Sequence, residues 1–329
     1  MSRIIILRRA CEKPHKIREF EPTYVDCYVM IDELGAALHR ASLGFLGIAF
    51  SPAPWNNRVM AYKNELQAAL AAAIKAARIA GQIIRKNWQC AKTIKSAEQH
   101  DIKLELDVRC QQLIVRSLQP SFPHFAILGE EGVSGDPAAA ARWVVDPIDG
   151  TVNFAYDIPH ACVSIALQTR CGKPKPGVTA GDYQTQLGVV YDPFCEELWT
   201  AIRGQPARLN GKIIHASRRT NLAEAVVAVG FAKYDQNLQK MLPSFQNLAH
   251  RVRKLRIMGS AALDLVYVAS GRFDAYLESG VRLWDIAAGG LILECAGGDF
   301  LNRPISADHH YYVLANNGPL RRKLQRLTK

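Results

Sequence analysis

From Asn64 onwards apolar residues return at helical spacing: Leu66, Leu70, Ile74, Ala77, Ile84 and Trp88, with alanine filling much of the interval. That recurrence draws one apolar stripe along an amphipathic helix of about seven turns. A second helix is predicted over 108–118, closing just ahead of Pro120, where a proline disfavours further helix. Short apolar runs then predict strands over 125–128, 143–145, 163–167, 187–191 and 197–202. The second half begins at 225–230, with a helix around 236–250. A strand-like 255–258 leads into a helix over 259–270, a strand over 273–277, and a helix opened by Asp285 and closed by Gly297-Gly298. Two helices followed mainly by strands suit a layered α+β arrangement. There is no internal repeat, and no low-complexity tract beyond the alanine-rich helix.

The chemistry gathers at the ends of these elements. Trp143-Val144-Val145 reads as the end of a buried strand, and Asp146-Pro147-Ile148-Asp149-Gly150-Thr151 follows it. Pro147 and Gly150 predict a turn there, and a strand-to-turn transition projects side chains into a cleft. Two carboxylates three residues apart, with the Ile148 carbonyl between them, can converge on one hard cation. By itself the stretch reads equally well as an acidic turn shaped by Asx hydrogen bonds. Further acids shift that balance. Asp107 stands in Lys103-Leu104-Glu105-Leu106-Asp107, and Glu130-Glu131 closes the apolar run Ile127-Leu128-Gly129. Asp285 follows Leu283-Trp284. Alone, Asp285 reads as an ordinary helix N-cap and Glu130 as a solvated loop acid. Together, four acid sites at element ends are what a polynuclear Mg²⁺ site requires.

This pattern resembles the inositol monophosphatase family of Mg²⁺-dependent, lithium-sensitive phosphomonoesterases. The resemblance rests on an Asp, then Glu-Glu, then Asp-Pro-Ile-Asp-Gly-Thr, then Trp-Asp followed by Gly-Gly. Here those are Asp107, Glu130-Glu131, Asp146 to Thr151, Trp284-Asp285 and Gly297-Gly298. It extends from about Met60 to the C-terminus and takes in Gly188 to Pro193, Leu209-Asn210-Gly211 and Gly259-Ser260-Ala261-Ala262. It implies an α-β-α-β-α stack of helix and sheet layers, of the kind shared with fructose-1,6-bisphosphatase. It also implies two to three Mg²⁺ ions per site. Glu130, Asp146 and the Ile148 carbonyl would hold the first; Asp146, Asp149 and Asp285 the second; Glu130 and waters a weaker third. Thr151, hydrogen-bonded towards Asp107, would orient the attacking water for in-line displacement. The Gly150 and Thr151 amides would receive the phosphate at a helix start.

The same resemblance bears on substrate. Glu278 matches the acid that accepts hydroxyls of inositol, with a plain surface acid as the other reading. Gly259, Ser260 and Ala261 match backbone beside the ring, and Asp285 the acid near it. Arg282 is basic where a second phosphate would also fit. Inositol monophosphate is therefore the leading substrate, ahead of fructose 1,6-bisphosphate, histidinol phosphate and 3′(2′),5′-adenosine bisphosphate. Residues 180–185, Gln205-Pro206 and Phe231-Ala232 depart from the family pattern in loops that could tune this choice. A homodimer is implied as well. A catalytically idle scaffold subunit is the alternative from another class, against which the intact acids and Thr151 speak.

Composition adds bounds. At 329 residues the chain can bury a substantial core in one large domain or two lobes. Its eight cysteines show no paired spacing, and Cys162 and Cys295 sit in apolar stretches as core thiols, so a reducing cytoplasmic setting fits. No apolar run is long enough for a membrane span. The net charge of +11 raises nucleic acid as a partner. The basic residues are dispersed, however, and suit steering of a small phosphorylated metabolite instead. Residues 1–59 fall outside the resemblance and end in Ser51-Pro52-Ala53-Pro54, a linker-like stop. They are an extension of the domain at 60–329, or the product of a start assigned upstream of Met60. The two lobes of that domain are expected at about 60–210 and 211–329.

Overall fold

The computed structural model describes residues 53–98, 101–171, 183–231, 235–306 and 308–328. Contacts gather 49–170 and 177–329 into one compact unit, and the elements below belong to it. The expectation for residues 1–59 lies outside the described residues up to position 52.

The chain opens with helix α1 (Ala53–Asn87), which begins eleven residues before the predicted Asn64 and runs unbroken through Met60. A polar hairpin follows, β1 (Ile94–Glu98) and β2 (Asp101–Leu104), then α2 (Glu105–Leu118). Next come β3 (Ala126–Gly129), β4 (Gly132–Ser134), β5 (Ala141–Asp149), the short α3 (Thr151–Ala155), β6 (Cys162–Arg170), β7 (Tyr183–Asp192) and β8 (Glu197–Ile202). After β9 (Arg208–Leu209) and β10 (Lys212–Ile213) the chain continues as β11 (Val226–Val229), α4 (Asp235–Ala249), β12 (Lys254–Arg256) and α5 (Ala261–Ala269). It ends with β13 (Ala275–Arg282), α6 (Leu283–Cys295), β14 (Asp299–Pro304), β15 (His310–Asn316) and α7 (Arg321–Leu327).

Eight strands form one sheet in the order β10-β9-β8-β7-β6-β5-β3-β4, and five form another, β12-β11-β13-β15-β14. Side chains alternate along the central strands, as a sheet covered on both faces demands. Trp143, Val145, Val163, Ile165, Leu187 and Val189 pack against α1 and α2, among Ala73, Ala77, Ile84 and Ile114. Val144, Ala166 and Val190 face the other way, onto α5 and α6. The alanines of α1 let the helix lie close on the sheet. The outer face of the small sheet is covered by α4 and α7 through Met241, Leu248, Leu320 and Leu324. The result is the α-β-α-β-α stack, with α5 and α6 as its middle layer.

Gly188 in β7 shows how close that middle layer comes. A Cβ built there would lie 2.7 Å from the Ala288 carbonyl oxygen of α6, inside van der Waals contact. Among the described residues no helix is long and apolar enough to cross a membrane. Cys162 is fully buried, whereas Cys295 is only half-buried, its thiol facing the Ile202 carbonyl at 3.5 Å.

Candidate metal centre and active site

β5 does not end at Val145 as its sequence suggested. The strand continues through Asp149, and the turn waits for Gly150, whose φ of +95° favours glycine. What lies between is a β-bulge: Asp146 pairs with Ser164 and Asp149 with Cys162, three residues opposite two. The bulge also accommodates Pro147, which has no amide to give a ladder. In a regular strand residues 146 and 149 would point to opposite faces. The extra residue turns both carboxylates to one side and leaves Ile148, fully buried, pointing into the α1–α2 core.

Asp285 comes from the opposite direction, off the first turn of α6. It is the third helical residue and not the N-cap that its sequence suggested: Oδ2 accepts the Arg282 amide at 2.9 Å. That bond fixes one oxygen. One oxygen each of Asp146, Asp149 and Asp285 lies within 4.8 Å of the others. Glu130 lines the same cavity, on the turn between β3 and β4. Its amide donates to the Val145 carbonyl at 3.1 Å, and Gln111 of α2 braces the turn by bonding the Glu131 amide and the Gly132 carbonyl. Asp107 does not line the cavity. It is buried on α2, accepts the Leu104 amide at 2.7 Å, and stands near enough to raise the Asp146 pKa.

Like charges at such separations resist ionisation. Burial, and then the charges of Glu130, Asp149, Asp285 and Asp107, push the Asp146 carboxyl well above the usual range. Asp285 shifts the same way, by burial first and then through Asp149 and Glu130. Burial raises Asp149 to about 6 against four favourable contacts: Ser260 Oγ at 2.6 Å, the Ala262 amide at 2.7 Å, the Ala261 amide and the Cys162 thiol at 3.9 Å. Among the described residues no Lys or Arg forms an ion pair with any of the three aspartates. Two buried carboxylates and the half-buried Asp285, grouped without an ion-paired cation and offering only oxygen donors, fit a hard divalent cation.

The remaining residues take up places around a cavity of about 470 Å³. Gly150 and Thr151 line it at the start of α3, and Gly259, Ser260 and Ala261 at the start of α5. Thr151 departs from expectation. Its hydroxyl donates to the Ile148 carbonyl at 2.8 Å, an acceptor left by the bulge, instead of turning to Asp107. Glu278 enters from β13, with Tyr276 donating to its carboxylate. It fits because position 230 is glycine: a Cβ there would fall 1.8 Å from Glu278 Oε2.

Three lining residues carry weight that the sequence reading did not assign. Asn153 donates from Nδ2 to the carbonyls of His160 at 2.9 Å and Met258 at 2.8 Å, joining α3 to the loop before α5. His310, at the start of β15, lies beside Arg282, whose Nη1 bonds the Asp308 carbonyl at 2.8 Å. Asp264 of α5 is the third; a lone acid inside Ala-Ala-Leu-Asp-Leu-Val was the available signal.

Comparison with known proteins agrees with this geometry. The profile of the inositol monophosphatase family matches residues 65–323. The Nus factor SuhB of Pasteurella multocida (strain Pm70) is 39% identical over 232 residues, 69% of this chain and 82% of that protein. Inositol monophosphatase 1 of Solanum lycopersicum is 37% identical over 246 residues, 73% of this chain and 86% of its own. Among solved structures, extragenic suppressor protein suhB from Bartonella henselae matches with a TM-score of 0.71 and 31% identity, over 80% of this chain and 98% of that one. The inositol monophosphatase from Anabaena (Nostoc) sp. PCC 7120 matches with a TM-score of 0.66 and 32% identity, over 80% and 96%.

Proposed function

The chain belongs to the inositol monophosphatase family, and from that premise we propose that it is a Mg²⁺-dependent phosphomonoesterase acting on inositol monophosphate. The observation that carries the proposal is the convergence of Asp146, Asp149 and Asp285 within 4.8 Å, with Glu130 beside them. These four and the Ile148 carbonyl are the residues that would hold two to three cations, Asp146 being shared. When bound, Mg²⁺ supplies charge neutralisation for the phosphoryl group and activation of the attacking water.

The chain's own groups do the rest. Thr151 spends its proton on the Ile148 carbonyl, so its oxygen is left to accept from a water and hold it for in-line approach. The amides of Gly150 and Thr151 receive phosphate oxygens. Backbone from Gly259 to Ala261 bounds the ring, and Glu278 accepts its hydroxyls. Asp107 acts through its charge on Asp146. The catalytic domain is assigned to 60–329, with lobes meeting near 210, working as a cytoplasmic homodimer.

A panel of phosphomonoesters, assayed for phosphate release with and without Mg²⁺, tests this. Inositol 1-phosphate should be preferred over fructose 1,6-bisphosphate, histidinol phosphate and adenosine bisphosphate. Li⁺ should inhibit, and Asp146→Asn should lose several orders of magnitude. One finding favours a second reading, a non-catalytic binding subunit: the Pasteurella relative is named a Nus factor. Wild-type silence across the panel would support that reading, and turnover indifferent to Asp146→Asn would defeat the metal model.

A further inference from the structure

Asp264 is the only charged residue of α5, a helix in which eight of nine residues are buried. Its relative exposure is 2%, and its Oδ1 has no hydrogen-bond partner. Among the described residues it joins no ion pair. It stands one helical turn beyond Ser260, so both side chains leave the helix on the same side, the side that holds Asp149. It lines the cavity together with Gly230 and Glu278.

A buried carboxyl with an unmet oxygen is costly, and its neighbours make it worse. Burial, then the charges of Glu278 and Asp149, push its pKa well above the usual range. Such a group persists where something that enters the cavity completes its bonding. A metal is not that partner: Asp264 is absent from the acids whose oxygens converge and, unlike Glu130, from the charges that raise Asp146 and Asp285. A phosphate dianion is not either, because the Glu278 and Asp149 charges that face Asp264 repel it. An alcohol is: a carboxyl that keeps its proton can donate to a hydroxyl and accept from one.

We propose that Asp264 hydrogen-bonds a hydroxyl of the leaving alcohol, making the site selective for polyol phosphates over phosphomonoesters that lack hydroxyls beside the ester. This rests on the phosphatase reading above and adds a specificity-determining residue to it. Glu278 and Asp264 then approach the ring from β13 and α5, in the cavity that Gly230 also lines.

The test compares kcat/KM for inositol 1-phosphate with kcat/KM for p-nitrophenyl phosphate, in the Mg²⁺-supplied wild type, Asp264→Ala and Asp264→Asn. Losing a hydrogen bond between substrate and this group should lower the ratio about 10- to 100-fold in Asp264→Ala. Asp264→Asn, which can still donate and accept, should recover most of it. Thermal denaturation without substrate supplies the second readout. Removing an orphaned buried acid should raise the melting temperature of Asp264→Ala. A ratio unchanged from wild type, or a lowered melting temperature with both substrates losing equally, overturns the inference. If the wild type ignores inositol 1-phosphate but hydrolyses another polyol phosphate, the substrate assignment fails, and the ratio for that ester decides on Asp264. If the wild type favours the hydroxyl-free ester outright, the inference falls while the phosphatase reading stands.

Discussion

On the proposed assignment protons and Mg²⁺ would compete for the same carboxylates, and that competition should be visible in the stability of the whole protein. The Asp149 carboxyl sits at about 6 in the folded chain, against about 3.9 for an unperturbed Asp. A raised folded pKa means that the folded state binds more protons within that window. Stability from this group is therefore full below about pH 4 and is lost as pH rises through about 6. Two units at about 1.4 kcal/mol each amount to roughly 3 kcal/mol for Asp149 alone. Asp146 and Asp285 act in the same direction. Mg²⁺ bound to the ionised cluster would offset the loss, stabilising by RT ln(1 + [L]/Kd), about 2.7 kcal/mol at a hundredfold excess over Kd. The melting temperature in Mg²⁺ minus that in EDTA should thus be near zero at pH 4.5. It should grow to roughly 5–10 °C by pH 7.5, given about 2–4 °C per kcal/mol for a chain of this size. Taking the difference cancels titrations remote from the site. Asp149→Asn should flatten the rise. A Mg²⁺ increment equal at pH 4.5 and 7.5, or larger in acid, would refute the reasoning.

Gly188→Ala places a methyl 2.7 Å from the Ala288 carbonyl oxygen and 3.0 Å from its Cα, both backbone atoms that must retreat with α6. Calorimetry should register a loss of about 1–3 kcal/mol, and half-saturation by Mg²⁺ should move to higher concentration because Asp285 rides on that helix. Asp274 is fully buried, accepts from Arg219 at 2.9 Å and the Val226 amide at 2.8 Å, and also takes the Ser217 hydroxyl. Asp274→Ala should cost about 3–5 kcal/mol in urea denaturation, with kcat/KM of the folded fraction unchanged. Asn153→Ala removes the donor shared by the His160 and Met258 carbonyls; steady-state kinetics should show a raised KM, and an unaltered KM would mean that α3 holds its place without it.

The order of elements was legible because α1, α2 and the strands of the large sheet bury well-defined stripes; the stacking of the layers came only with the family resemblance. The 197–202 strand was placed to the residue. The β1–β2 hairpin and β14 escaped because Ile-Lys-Ser-Ala-Glu and Asp-Phe-Leu-Asn-Arg-Pro are polar edge strands with no alternation to detect. The acids of the site were legible as a set, since four of them end apolar runs. Their geometry was not. That Asp146 and Asp149 share a face depends on the register of β5 against β6, which is a property of the pair and not of either strand. Likewise Asp285 read as a cap, which it is, but from the third position, with the second oxygen spared for the cavity. Asp264 looked like an interruption in an apolar helix, and only the cavity beside it gives it a task.

The bond from Ser260 to Asp149 spans 111 residues of sequence, and Asp285 lies further along still. Contacts of such separation pay their loop-closure entropy late, so local elements are expected to form before them. The cluster of acids therefore has no existence on a growing chain: β5 and its bulge emerge long before α5 and α6 can reach them. During synthesis Asp146 and Asp149 are two ordinary ionised side chains, without the mutual repulsion of the finished cavity. The electrostatic strain is assembled in the final docking of α5 and α6, which gives a divalent cation its largest leverage on the last step of folding rather than on the first.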